Sequence, residues 1–279
     1  MNKKDRALVV LSGGQDSTTC LFWAKANYDE VHAVTFSYGQ KHSLELVSAM
    51  NVAKIAGVAS HETVFLPAGV LSSTSPLVNA SAPLEKYTDH ASMEAIIGDR
   101  VEKTFVPMRN ALFLTLAANR AVCLEAGAIV TGVCQADNAN YPDCRMSFLS
   151  SQQSTISRAL GIEEEVLILE APLMYLSKAE SVRMALNLSD EGASLAWPAL
   201  AFTHTAYDGV YPPTGRDHAS VLRAHGFEEA GYPDPLVVRA WNEGLMELPD
   251  TANYKRHAGS MLDLAGRIDV LKSHHALEA

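Results

Sequence analysis

Between an apolar run, Ala7–Leu11, and a stretch of helical pattern, TTCLFWAKAN, stands Ser12-Gly13-Gly14-Gln15-Asp16-Ser17-Thr18. Two adjacent glycines let the backbone come close to a ligand, and the small hydroxyls open the following helix. Backbone N–H groups at such a helix start, with the positive end of the dipole behind them, make an anion site. A Walker loop needs Gly-Lys followed by Ser or Thr; Gln15-Asp16-Ser17 stands there instead, so the loop is of another kind.

The remainder repeats the strand-then-helix pattern. Val31–Phe36 reads as a second strand, followed by a helix through about Ser43–Ala56 and a short strand near Glu62–Leu66. Asn110 is placed to cap a long helix running to Gly127, followed by strands at Ala128–Val133 and Val166–Leu173 and a helix at Ser177–Leu186. Strands separated by helices predict an α/β fold, a parallel sheet with helices on both faces. Ligands of such sheets lie beyond the carboxyl ends of the strands. Near the end, Val237–Leu245 and Ala258–Leu271 carry helical periodicity around a Leu-Pro-Asp-Thr-Ala-Asn break. The expected division is 1–190 for the α/β part, 191–235 for a following module, and 236–279 for a helical extension.

Lys plus Arg is 22 and Asp plus Glu is 32, a formal charge of −10. That balance argues against a broad grip on duplex nucleic acid. No run approaches the roughly 20 apolar residues that span a bilayer, so no membrane partner is expected. The basic start lacks a small-residue cleavage site and reads as the approach to the first strand. Four cysteines, Cys20, Cys123, Cys134 and Cys144, form no C-x-x-C pair, which favours a reducing cytoplasm over a disulfide scaffold.

The Ser-Gly-Gly-x-Asp-Ser loop resembles the pyrophosphate-binding loop of the ATP pyrophosphatases. The resemblance implies an adenine nucleotide alpha hydrolase-like, Rossmann-like fold in which Leu11 through Thr18 hold ATP and Asp16 helps hold Mg²⁺. Further motifs narrow it: Ser37-Tyr38-Gly39-Gln40-Lys41-His42, Thr104-Phe105-Val106-Pro107, Arg109-Asn110, Thr131-Gly132, Tyr141-Pro142-Asp143-Cys144-Arg145, and Pro172-Leu173 with Lys178-Ala179-Glu180. Together they are similar to the 7-cyano-7-deazaguanine synthase family over about residues 5–235. Membership implies adenylation of 7-carboxy-7-deazaguanine by ATP, displacement of AMP by ammonia, and dehydration of the amide to a nitrile by a second ATP. Asp16, Arg109 and Lys178 are then the catalytic candidates, and Ser12, Gly13, Gly14, Gln15, Ser17, Thr18 and Lys41 join Leu11 around ATP. Tyr38, Phe105, Arg109, Asn110, Gly132, Asp137, Tyr141, Asp143 and Arg145 are expected around the deazaguanine. Asp143 or Asp137 would accept its N–H groups, and Phe105 or Tyr141 would stack on its ring. A homodimer is the expected assembly.

Three departures stand out. The family's zinc cysteines are replaced by Ala206, Thr214, Asp217 and Ser220, which offer no tetrahedral thiolate set, so no zinc is expected. Met108 stands where a glycine is expected, and Asn138-Ala139-Asn140 replaces a Ser-Gly loop; methionine resists positive φ, so the pocket beside Arg109 is expected to change shape. Three readings follow. The chain is a nitrile synthase that tolerates zinc loss; or a specialised phage-defence paralogue that delivers the deazaguanine to a protein amine, stopping at the amide; or a nucleotide-binding scaffold without catalysis.

Overall fold

Five strands make one parallel sheet in the order β3-β2-β1-β4-β5: β1 (Arg6–Val10), β2 (Glu30–Ser37), β3 (Ser60–Phe65), β4 (Ala128–Val130) and β5 (Ile168–Glu170). The computed structural model describes residues 5–40, 44–135, 140–190 and 195–277. Its helices are α1 (Gln15–Asn27), α2 (Leu44–Ala56), α3 (His90–Ile97), α4 (Arg109–Cys123), α5 (Met146–Leu160) and α6 (Lys178–Asp190). They continue with α7 (Ala196–Ala199), α8 (His218–Ala230), α9 (Pro235–Asn242), α10 (Ala252–Arg256) and α11 (Met261–His274).

Side chains alternate across a strand, so β1 feeds two cores. Ala7, Val9 and Leu11 pack with Cys20 and Leu21 of α1 and Val52 of α2. Leu8 and Ile129 face the other way, onto Leu114 and Ala121 of α4 and Ile156 of α5. Burial on both faces explains the near-continuous apolar runs. The sheet grows outward from β1 in both directions, to β2 on one side and β4 on the other. The loops after β1 and β4 therefore diverge, opening a crevice at the switch point.

The C-terminal helices build a second layer. One apolar cluster runs from Val182 through Trp197, Phe202 and Phe227 to Val238, Tyr254 and Ile268, with Phe22 of α1 and Ile55 of α2 as its floor. Met261, Leu264, Ile268 and Leu271 of α11 are buried at helical spacing. Each contributes roughly 1.5–3 kcal/mol of burial before entropy is counted. The extension beyond residue 235 thus covers the chain's own α6–α8 layer.

Several boundaries differ from expectation. Asn110 does not cap α4: the helix starts one residue earlier, and Met108 holds the cap position. The helix stops at Cys123 because Glu125 turns left-handed at φ 54°, well before Gly127. The fourth and fifth strands are only three residues each, since the chain leaves the sheet at Gly132 and at Ala171-Pro172. The sequence pattern does not announce α3, α5, α7, α8 or α10. For α8, its capping Asp217, which accepts from Ser220 N–H, lies within what looked like the remnant of a metal module.

Candidate active site

The loop at residues 12–18 is shaped by close backbone packing. Gly13 has φ 87°, and a Cβ there would sit 2.3 Å from the Glu45 carbonyl oxygen and 2.7 Å from Ala49 N. No side chain fits, so the loop rests directly on α2. Gly132 does the same from the other side: a Cβ would meet Ser17 N at 3.0 Å. Hydroxyls brace the interior, with Ser12 N–H donating to Ser17 Oγ at 3.2 Å and Ser17 Oγ–H to the Gly14 carbonyl at 3.2 Å. Gly14 caps α1 without a side-chain bond of its own. Instead, the 204–205 segment reaches over: His204 N–H donates to the Gly13 carbonyl at 2.9 Å, and Gln15 N–H to Thr205 Oγ1 at 3.3 Å.

A cavity of about 460 Å³ opens beyond this loop, at the switch point. Lys178 Nζ stands 2.7 Å from Asp16 Oδ2, both on its wall. Gly226 of α8 makes room for that lysine, since a Cβ would lie 2.4 Å from Lys178 Cγ. Arg109 also lines the cavity and donates to the Tyr38 hydroxyl at 3.4 Å. Burial pushes the Glu45 carboxyl up to about 7, against the downward pull of Arg109. The Tyr141 hydroxyl is held by Thr104 at 2.5 Å and by Glu102 at 3.2 Å.

Of the residues expected to act, Leu11, Ser12, Gly14, Gln15, Asp16 and Ser17 line the cavity. So do Tyr38, Arg109, Asn110, Gly132, Tyr141, Arg145 and Lys178. Four stand behind the wall. Gly13 packs on α2, Thr18 is fully buried inside α1, and Phe105 leans on Tyr141 at 5.4 Å between centroids. Asp143 accepts from Asn110 N–H at 3.3 Å, and its carboxyl is raised by burial against the opposing influence of Arg109. Lys41 and Asp137 lie outside the described residues. Glu45, His204, Thr205, Tyr207 and His218 line the cavity without having been singled out for it. The 204–207 run was visible only as a remnant of a metal module, and nothing local marks Glu45 beyond its place at the start of α2.

Residues 6–231 match the family model described as "Queuosine biosynthesis protein QueC". The chain belongs to this family. A 7-cyano-7-deazaguanine synthase of Gloeobacter violaceus is 48% identical over 231 residues, 83% of this chain and 95% of the relative. One from Chromobacterium violaceum is 46% identical over 244 residues, 86% of this chain and 96% of the relative. A solved 4-thiouridine synthetase–RNA complex with bound ATP aligns at TM-score 0.41 and 14% identity, covering 97% of this chain and 53% of that one. That likeness is too loose to bear on the site.

Within the QueC family frame, the departures take a definite form. Met108 adopts the left-handed conformation, φ 66° and ψ 2°, that a glycine would favour, and its side chain is 68% exposed. It takes up that conformation despite its side chain, and it is not among the residues that line the cavity. Of Asn138–Asn140 only Asn140 is described, and its amide donates to the Gly98 and Arg100 carbonyls at 3.0 Å each. At the positions where the resemblance leads one to expect cysteines, Ala206 is buried and Thr214 donates to Asp208 at 2.6 Å from its hydroxyl. Asp217 accepts from both the hydroxyl and the amide of Ser220. Arg223 adds a buried fork on Asp234 at 2.6 and 2.8 Å and donates to Thr205 Oγ1 at 2.9 Å.

Proposed function

We propose that the chain adenylates the carboxylate of 7-carboxy-7-deazaguanine with ATP and transfers the acyl group to a nitrogen nucleophile, in the manner of the 7-cyano-7-deazaguanine synthases to which it is similar. The observation that carries this reading is one cavity holding the Ser12–Ser17 loop, the Asp16–Lys178 pair, and the Arg109–Tyr38–Tyr141 group. The 3-2-1-4-5 parallel sheet supports an adenine nucleotide alpha hydrolase-like arrangement around it.

A carboxylate is a poor electrophile because attack by nitrogen must expel oxide. Adenylation substitutes AMP as the leaving group, which leaves the protein to position reactants and to offset phosphate charge. The α1 start, Ser12 and Ser17 offer neutral donors to phosphate oxygens. Lys178 supplies a point charge and Arg109 a planar fork. The Tyr141 ring, its hydroxyl anchored by Thr104 and Glu102, offers a face for the deazaguanine.

Asp16 fits magnesium only jointly with ATP, because that ion needs one or two carboxylates when phosphates and water complete its shell. Among the described residues no cluster of three His, Cys, Asp or Glu side chains offers a separate cage. When bound there, the ion would offset phosphate charge. Zinc does not fit: a methyl group, two hydroxyls and one carboxylate replace the expected thiolates.

The test is purified chain with ATP, magnesium and 7-carboxy-7-deazaguanine. Pyrophosphate release should depend on the carboxylate, and added ammonia should give the primary amide and then the nitrile by mass spectrometry. Release of inorganic phosphate and ADP, or turnover indifferent to the carboxylate, would overturn the reading. Accumulation of amide with no nitrile would transfer the case to the protein-amine variant.

A further inference from the structure

Amide formation from an acyl adenylate releases a proton from nitrogen, and two carboxylates of the expected site, Asp16 and Asp143, are committed elsewhere. Asp16 is paired with Lys178, and Asp143 is turned to α4. His218, the first residue of α8, lines the same cavity at 4% exposure. Its buried Nε2 has no hydrogen-bond partner among the described residues. Leaving a buried polar nitrogen unpaired costs about 1–3 kcal/mol, a cost that a ligand group reaching it from the cavity would offset.

The groups whose charge acts on this ring come from four elements: Glu102 from the segment before α4, Lys178 from α6, Asp217 from its own helix start, and His90 from α3. Burial lowers its proton affinity below the ordinary histidine value, and the start of α8 presents the positive end of a dipole. A neutral imidazole results, with a lone pair available near neutral pH.

We infer that His218 Nε2 accepts the proton from the amine as it attacks the acyl adenylate, an inference that rests on the adenylation reading above. The nitrogen lone pair forms the C–N bond, the bond from the acyl carbon to the AMP oxygen breaks, and that electron pair leaves with AMP. The extra proton on nitrogen passes to His218 Nε2 and from there to water. His218 thereby acts in the second half of the reaction, whereas the Ser12–Ser17 loop acts in the first.

The experiment measures carboxydeazaguanine-dependent ATP–pyrophosphate exchange and ammonia-dependent amide formation side by side, for wild type, His218→Gln and His218→Ala. General-base removal predicts that the ratio of amide formation to exchange falls by about 10²-fold or more in both variants. Added imidazole should raise amide formation by His218→Ala and leave wild type unaffected. A parallel fall in both activities, an unchanged ratio, or a lowered ratio without imidazole rescue overturns the proton-acceptor role while the adenylation reading stands. Absence of exchange in wild type defeats the adenylation reading, and this inference with it.

Discussion

The loop at residues 12–18 and the segment at 204–220 touch each other, yet they are built by opposite means. In the first, backbone meets backbone: Gly13 lies on α2 and Gly132 on α1 with no room for a Cβ. In the second, side chains do the holding, through Asp208 with Thr214, Asp217 with Ser220, and Arg223, itself fixed by Asp234, with Thr205. A backbone-built element has few alternatives, because a Cβ at Gly13 would clash with α2. An element held by side-chain cross-links can exchange one chemistry for another, here hydrogen bonds where relatives are expected to carry thiolates.

The sharpest break of this contrast is at Asp16, the one carboxylate in the backbone-built loop. Asp16→Asn should cut carboxylate-dependent pyrophosphate release about 10³-fold with little change in fold, since Lys178 loses its anionic partner and the proposed magnesium a ligand. Release at the wild-type rate in a direct assay would remove Asp16 from the mechanism.

The cross-linked segment should break in stability rather than chemistry. Arg223→Met leaves Asp234 charged, buried and without its guanidinium partner, a loss of about 3–5 kcal/mol in denaturant unfolding. The double change with Asp234→Leu should recover most of that. It should remain about 1 kcal/mol below wild type, because Asp234 also caps α9 through Leu236 N–H at 2.9 Å. A double variant as unstable as the single one would show that the ion pair itself is not the cause.

Glu45 joins the two regions, its carbonyl under Gly13 and its carboxyl on the cavity wall. A carboxyl raised from 4.5 to about 7 means that the folded chain holds a proton the unfolded chain has released. Stability should therefore fall as pH rises through that window, and Glu45→Gln should flatten the profile of melting temperature between about pH 4.5 and 7. An unchanged slope in the variant would assign the pH dependence elsewhere.

The smallest effects are expected at the rim of the cross-linked segment. Thr214→Val deletes an exposed bond to Asp208 and should cost no more than about 1 kcal/mol. A strong zinc chelator should leave melting unchanged, and metal analysis should find zinc well below one per chain. Chelator-induced unfolding would place a metal in the segment and erase the contrast.

Local features were legible in the sequence alone because their causes are local. Apolar runs with helical spacing between them announced the parallel sheet, and Ser12-Gly13-Gly14-Gln15-Asp16-Ser17 at a strand–helix junction marked the loop that lines the cavity. The periodicity after residue 235 announced helices but not what they cover. Only the tertiary structure brought Lys178 to Asp16 across 162 positions of chain and laid Thr205 over the start of α1. It also placed Met108 in a left-handed turn with its side chain outside, where residue type alone argued for a reshaped pocket. Asp143 turned to the start of α4, and His218 lines the cavity from α8, a helix that the sequence pattern does not announce. Backbone preferences act over a few residues, whereas the direction of a side chain into a shared cavity depends on how whole helices pack.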